Sequence, residues 1–211
     1  QWYRFSAQVR GGTLLAMVYQ YIQTGPMNSV GIARGGGSDQ WRTVVGYYQV
    51  PATNWASSSL AVCLEGGDQV EVDDVTLEVA TVPAPPADAP DIVLENDTSR
   101  IVLAPTANLK QLQDKATGKE YQADAPLPVV KVIVDEIPLH ACVLRQENDR
   151  LRFSFPQPDV EVTLRTISGP RHFRFEIESV SPSDADAVEI TMPVRRLEKL
   201  GWAFNATYDQ E

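Results

Sequence analysis

Apolar and polar residues alternate with a period of two along most of the chain, which is the pattern of half-buried β-strands. Near the start, the odd-numbered positions are apolar and the even-numbered positions are polar; we call these the two parities of the strand. The apolar positions are Tyr3, Phe5, Ala7 and Val9. Gly11-Gly12 follow and are read as a turn. The pattern therefore predicts a hairpin, in which residues 14–23 form the return strand.

The same reading assigns the rest of the first 80 residues. A strand is predicted over residues 41–50, between loops over residues 24–40 and 51–59 that are rich in Gly, Pro, Ser and Asn. Residues 60–64 and 70–79 are predicted to form a second hairpin, because Gly66-Gly67 lie between them.

The segment 70–79 changes the phase of its alternation in the middle. Its first two valines, Val70 and Val72, are at even-numbered positions. Its later apolar residues are at odd-numbered positions, Val75, Leu77 and Val79. Because side chains alternate strictly along a strand, this change needs one extra residue, and we predict a β-bulge at Asp73-Asp74. Two adjacent carboxylates are costly unless a cation, an Arg or solvent lies close to them.

A proline-rich segment divides the chain. Residues 83–90 combine prolines with small residues, so they can form neither a helix interior nor a central strand, and we predict a semi-rigid linker. Short strand-like segments with close spacing resume beyond it, which is typical of a sandwich. The predicted fold class is all-β, with two jelly-roll-like β-sandwich domains, residues 1–82 and residues 91–211. We expect the second domain to be truncated at its C-terminus.

Charge and composition narrow the function classes. The net charge is −10, with 18 basic and 28 acidic residues, which disfavours nucleic acid and anionic membrane surfaces as partners. No apolar run approaches the roughly 20 residues that span a bilayer. Cys63 and Cys142 are expected to be free thiols that pack as small hydrophobes. Because Gln1 already lies in a strand-like pattern, we expect the chain to be a piece of a longer one.

Four segments of the first domain carry a family resemblance: residues 3–10, residues 40–44 with Val50-Pro51 after them, residues 60–64 and residues 72–77. In this order they resemble the galactose-binding-like jelly roll of carbohydrate-binding modules attached to polysaccharide-degrading enzymes. The resemblance implies that residues 1–82 are the C-terminal half of such a module. It also implies a structural Ca²⁺ with Asp73 as a ligand, whose further ligands in that family lie on strands N-terminal to this segment.

The second domain carries a different resemblance. Residues 91–97 and 112–121 look like the opening of β-sandwich domains that precede catalytic barrels in large bacterial glycoside hydrolases. Thr117-Gly118-Lys119 has turn chemistry between two polar strand ends. The resemblance implies a secreted bacterial glycoside hydrolase as the parent chain, with a catalytic domain downstream and an extracellular or periplasmic location.

The sugar-binding candidates are aromatic and polar residues outside the predicted core. Carbohydrate-binding modules stack sugar rings on exposed aromatics and grip hydroxyl groups with polar side chains, and an aromatic on a polar face is a candidate for such stacking. Trp2 lies on the polar parity with Arg4 and Gln8, and Trp55 lies in a predicted loop. The alternative for Trp2 is that it covers a domain interface or packs against strands outside this chain. Tyr47 and Tyr48 point to opposite faces, so one of them is expected in the core.

No catalytic residue is assigned. His140 and His172 have no nucleophile-type turn nearby, and no His or Cys spacing suits zinc. Asp135-Glu136 are neighbours, so on a strand they would face opposite ways and are not a glycosidase pair, although carboxylates elsewhere remain open as partners. We interpret them as solvated charges at a strand end. His172 with Tyr208 is the one pair we can nominate for a catalytic sandwich such as a polysaccharide lyase.

These observations predict a non-catalytic carbohydrate-binding and scaffolding segment of a larger polysaccharide-degrading enzyme. Its expected partners are a polysaccharide or oligosaccharide and the downstream catalytic domain, with neither nucleic acid nor membrane. Two alternatives stay open: an adhesin or surface-assembly fragment with protein partners only, and a catalytic sandwich in residues 91–211.

Overall fold

The computed structural model describes residues 1–22, 28–50, 55–124 and 127–195, and every helix or strand assigned in them is a β-strand. The predicted all-β class is confirmed. In this part of the chain no helix is long and apolar enough to cross a membrane. The chain divides into two compact units: Gln1–Val82 with Asp135–Pro138, and Pro83–Val134 with Leu139–Glu211. The predicted linker and domain limits remain predictions.

The first unit is built on one very long strand. Its strands are β1 (Trp2–Ile22), β2 (Asn28–Gly36), β3 (Arg42–Gln49) and β4 (Trp55–Ala80). All pairings with β1 are antiparallel: β3 pairs with its first half, β2 with its second half, and β4 along nearly its whole length. The sheet therefore consists of two halves that share β1 and β4.

The two predicted hairpins are wrong, because β1 runs through Gly11-Gly12 and β4 runs through Gly66-Gly67 without reversing. Gly11 has a φ of +92°, and a β-carbon there would overlap the carbonyl oxygen of Gln69. Glycine thus lets the strand change direction while the ladder continues on both sides. The predicted loop over residues 24–40 is also wrong, since β2 lies within it.

The change of direction in β1 moves its buried side chains from one parity to the other. The first half buries Phe5, Ala7 and Val9, and the second half buries Leu14, Ala16 and Val18. The inner faces of the two halves meet, since buried Gln20 on β1 donates a hydrogen bond from Nε2 to the hydroxyl oxygen of Tyr48 on β3. These residues form one core together with Ile32, Ala33 and Val44.

The predicted bulge in β4 is confirmed. Ser6 lies opposite Thr76 and Gln8 opposite Asp73, so that two residues of β4 face the single residue Ala7 of β1. Asp74 has a φ of +49°, which short polar residues tolerate. The Asp73 carboxylate accepts a hydrogen bond from the Asp74 amide at 2.8 Å and so supports the bulge.

The second unit contains shorter strands in three antiparallel sheets, and the first two residues of one of these strands, Ile137 and Pro138, are grouped with the first unit. The sheets are β5-β6-β7, β14-β8-β9 and β10-β11-β12-β13. The strands are β5 (Ile92–Glu95), β6 (Ser99–Leu103), β7 (Leu109–Asp114), β8 (Val130–Val134), β9 (Ile137–His140), β10 (Val143–Glu147), β11 (Arg150–Ser154), β12 (Glu161–Gly169), β13 (His172–Ser181) and β14 (Ala187–Ile190). Its largest fully buried side chains include Leu103, Leu151, Phe153, Phe155 and Leu164. The turn predicted near Thr117-Gly118 is confirmed, since Asp114 accepts hydrogen bonds from the Ala116 and Gly118 amides at 2.8 Å.

Candidate functional site

The outward surface of the first half of the long sheet gathers most of the predicted site residues. We call this surface the polar face and define it by Trp2, Arg4 and Gln8 on β1, Thr43 and Tyr47 on β3, and Asp73 and Glu78 on β4. Arg4 lies opposite Tyr47 and Glu78, and Gln8 lies opposite Thr43 and Asp73. Because directly opposed residues of antiparallel strands point to the same side, these side chains share one surface.

Polar side chains of this face form an ion pair and a hydrogen bond with one another. Arg4 Nη1 lies 3.0 Å from Glu78 Oε1, and Gln8 Nε2 donates to Thr43 Oγ1 at 2.9 Å. Both pairs span neighbouring strands, so each restricts the rotamers of its members. A surface ion pair contributes only about 0–1 kcal/mol to stability, so the main effect of the Arg4 pair is to orient the guanidinium.

Just beyond Gln8, Arg10 extends the row of paired cations along β1. Its guanidinium forms an ion pair with Glu71 and lies 4.9 Å from the ring centroid of Trp41. Trp41 is exposed, so its ring is available as a surface under the cation. We therefore regard Trp41 as the partner of Arg10.

Two aromatic side chains border Arg4. Trp2 pairs with Gln49 and Arg4 pairs with Tyr47, so Trp2 and Tyr47 are diagonal neighbours across β1 and β3. Such neighbours lie about 7–8 Å apart, a separation that aromatic side chains can bridge. Both rings are half-buried, whereas Tyr48 is buried in the core, which confirms that one tyrosine of this pair is a core residue. Sequence reasoning left Tyr47 out of the site, although its parity relative to Tyr48 was the available signal.

Trp55 does not join the polar face. It begins β4 and lies opposite Ile22, at the other end of β1 from Trp2. Its predicted position in a loop is wrong, because the β4 ladder extends back to this residue. Residues 51–54 of the same predicted loop lie outside the described residues.

The carboxylates at the bulge do not form a complete metal site with other described residues. Asp73 and Asp74 are adjacent, and in the described parts of the chain no three His, Cys, Asp or Glu side chains come together as ion ligands. Ca²⁺ takes six to eight oxygen ligands, so a site at Asp73 needs ligands in addition to these two carboxylates.

The described residues offer little for covalent chemistry. Cys63 and Cys142 are both free thiols, as predicted. Burial raises the pKa of the Cys142 thiol to about 11, so that it stays protonated and unreactive near neutral pH. His172 begins β13, but Tyr208 lies outside the described residues, and the nominated pair remains untested.

Searches of protein-family models, of curated proteins and of solved structures found no match to this chain. The resemblances to carbohydrate-binding modules and to hydrolase sandwiches therefore rest on the quoted sequence segments alone. The described residues form antiparallel sheets that are compatible with β-sandwiches.

Proposed function

We propose that the polar face binds carbohydrate and that the chain is a non-catalytic carbohydrate-binding and scaffolding part of a larger polysaccharide-degrading enzyme. The observation that carries the proposal is the adjacency of Trp2 and Tyr47 to cross-strand polar pairs on one surface. Aromatic rings stack on the apolar faces of sugars, and oriented amide, hydroxyl and guanidinium groups bind their hydroxyls. The parent enzyme, the downstream catalytic domain and an extracellular or periplasmic location belong to the same proposal.

The charge of the face favours a neutral glycan. Arg4 and Arg10 are each paired with a carboxylate, and Asp73 adds a further negative charge at the edge of the face. The whole chain has a net charge of −10, which repels uronate and sulfate groups at low ionic strength. We therefore expect neutral polysaccharides to bind in preference to anionic ones.

Affinity electrophoresis on neutral and anionic polysaccharides tests this proposal. We expect at least one neutral glycan to retard the native chain, and Trp2→Ala or Tyr47→Ala to weaken that retardation by about tenfold or more. Tyr19→Ala is the matched control, because Tyr19 is half-buried on the outward side of the second half of β1. Equal retardation of the native chain and Trp2→Ala, or an equal loss in Tyr19→Ala, would contradict the proposal.

Ca²⁺ at Asp73 is retained as a second, separate proposal. It rests on the exposed carboxylate pair at the bulge of β4 and on the family resemblance. Millimolar Ca²⁺ is expected to raise the unfolding midpoint of the native chain, because an ion that binds only the folded state stabilises it by mass action. Asp73→Asn retains an oxygen acceptor for the Asp74 amide and should abolish the increase. An unchanged midpoint in the native chain argues against the site.

A further inference from the structure

Strand β4 leaves a row of apolar side chains uncovered on the same side as the core. Leu77 lies directly opposite Phe5, yet Phe5 is 0% exposed and Leu77 is 50% exposed. Val79, opposite Tyr3, is 65% exposed, and Val75 is 50% exposed. Opposed residues share a face, so these side chains point to the core side of a sheet that ends at β4.

The row continues in the second half of the sheet. Leu64 lies opposite the buried Leu14 and is 52% exposed, and Val62 lies opposite the buried Ala16 and is 39% exposed. Within the described residues β4 pairs only with β1, so its other edge carries free backbone donors and acceptors. A free edge beside an apolar row is the surface to which an added strand binds.

The regular part of this edge is short. Beyond the bulge, in which Asp74 and Val75 lie opposite Ala7, the pairing of β4 with β1 is uninterrupted from Thr76 to Ala80. A bulge twists a strand and ends straight pairing along it, so an added strand is confined to the stretch from Val75 onward. Such a strand needs apolar side chains at alternate positions to cover Val75, Leu77 and Val79.

The charge of β4 indicates which kind of strand can bind to its free edge. Its charged residues are all acidic, at Glu65, Asp68, Glu71, Asp73, Asp74 and Glu78. Three of these carboxylates have Arg partners on β1 or β2, whereas Asp73 and Asp74 have no ion pair with any described residue. A second copy of β4 brings only acidic side chains to this edge, whereas a segment with a basic end complements the two unpaired carboxylates.

We propose that the Val75–Ala80 edge of β4 binds an extended segment of a partner protein. In that segment apolar side chains alternate with polar ones, and Lys or Arg lies at the end that meets Asp73-Asp74. This interaction goes beyond carbohydrate binding, because it uses the open edge and core side of β4 and shares only Asp73 with the polar face. Backbone hydrogen bonds supply affinity, the apolar row fixes which side of the segment faces the core, and the carboxylates fix its direction.

A labelled synthetic peptide tests the proposal by fluorescence anisotropy with the full chain. The peptide carries valine at alternate positions, threonine between them and two lysines at one end, and a scrambled peptide of equal composition is the control. We expect saturable binding of the alternating peptide only. Leu77→Lys should weaken this binding by about tenfold or more, whereas Thr76→Lys, on the opposite side of the same strand, should change it less than about twofold.

The carboxylates are tested separately. Replacing Asp73 and Asp74 together by asparagine keeps the hydrogen-bonding shape of the bulge and removes both charges. This double variant should lose affinity for the lysine peptide and bind a glutamine version of the peptide as the native chain does. Equal binding of alternating and scrambled peptides overturns the proposal. So does a native dimer, seen by light scattering, that Leu77→Lys dissociates, because the occupant is then a second copy.

Discussion

Gly46→Ala is expected to remove a large part of the stability of the first unit. Gly46 on β3 lies opposite Phe5, and a β-carbon at this position would overlap the carbonyl oxygen of Ile32 and lie 2.6 Å from Ala33 Cβ. These are backbone and β-carbon atoms, so no change of side-chain rotamer relieves the overlap, and β2 must move away from β3. We expect the free energy of unfolding to fall by about 3–5 kcal/mol, a large part of the roughly 5–15 kcal/mol of a typical domain.

Urea unfolding followed by circular dichroism measures this loss, with Gly37→Ala as the matched control. Gly37 has a φ of +67°, and a β-carbon there would meet nothing within 4 Å. The control therefore adds only backbone strain, about 1–2 kcal/mol. Equal unfolding midpoints for Gly46→Ala and the native chain would show that β2 and β3 do not approach each other in the described way.

Phe5→Ala is expected to be nearly as destabilising, while Leu77→Ala is expected to have little effect. The two residues are directly opposed on β1 and β4, but Phe5 is fully buried and half of Leu77 is exposed. Removing a buried phenylalanine side chain costs about 3–5 kcal/mol, since the lost burial and the remaining cavity both contribute. Leu77→Ala should cost about 1 kcal/mol or less, because much of that side chain is already hydrated.

The same urea experiment compares the two variants. The two variants are predicted to differ in free energy of unfolding because the other half of the sheet covers the core side of β1, whereas the core side of β4 is exposed to solvent. A loss for Leu77→Ala as large as for Phe5→Ala would mean that the β4 row is covered in solution. That result would require a partner, such as a second copy, to be bound already.

Local pattern was sufficient to predict the strand class and the bulge. Strict alternation placed Phe5 in the core and Trp2, Arg4 and Gln8 on the other side of β1. The phase change in residues 70–79 predicted an extra residue at Asp73-Asp74, and Asp74 is one of the two residues opposite Ala7. Both predictions depend only on the two-residue period of a strand, which neighbouring sequence determines.

Long-range pairing was not predictable in the same way. Gly11-Gly12 have the composition of a turn, but β4 pairs with β1 on both sides of them, and this partner is about 60 residues away in sequence. β2 was missed because its glycines were interpreted as loop residues, although a β-carbon at Gly35 would lie only 3.0 Å from Val44 Cγ2, a tight contact between strands. The parity of Tyr47 relative to Tyr48 could indicate its outward side. Its place beside Trp2, and the position of Trp55 at the other end of β1, depend on cross-strand pairing that no local pattern specifies.

Mapping a bound glycan by amide chemical-shift changes tests carbohydrate binding at the polar face most directly. Titration with a neutral oligosaccharide of the retained polysaccharide should shift amides of β1 from Trp2 to Gln8, and amides near Thr43 and Tyr47 on β3. The chemical shifts of the amides from Leu14 to Gln20, in the second half of β1, should not change. Shifts confined to the second half or to the second unit, or no shifts with any neutral glycan, would contradict the proposed function.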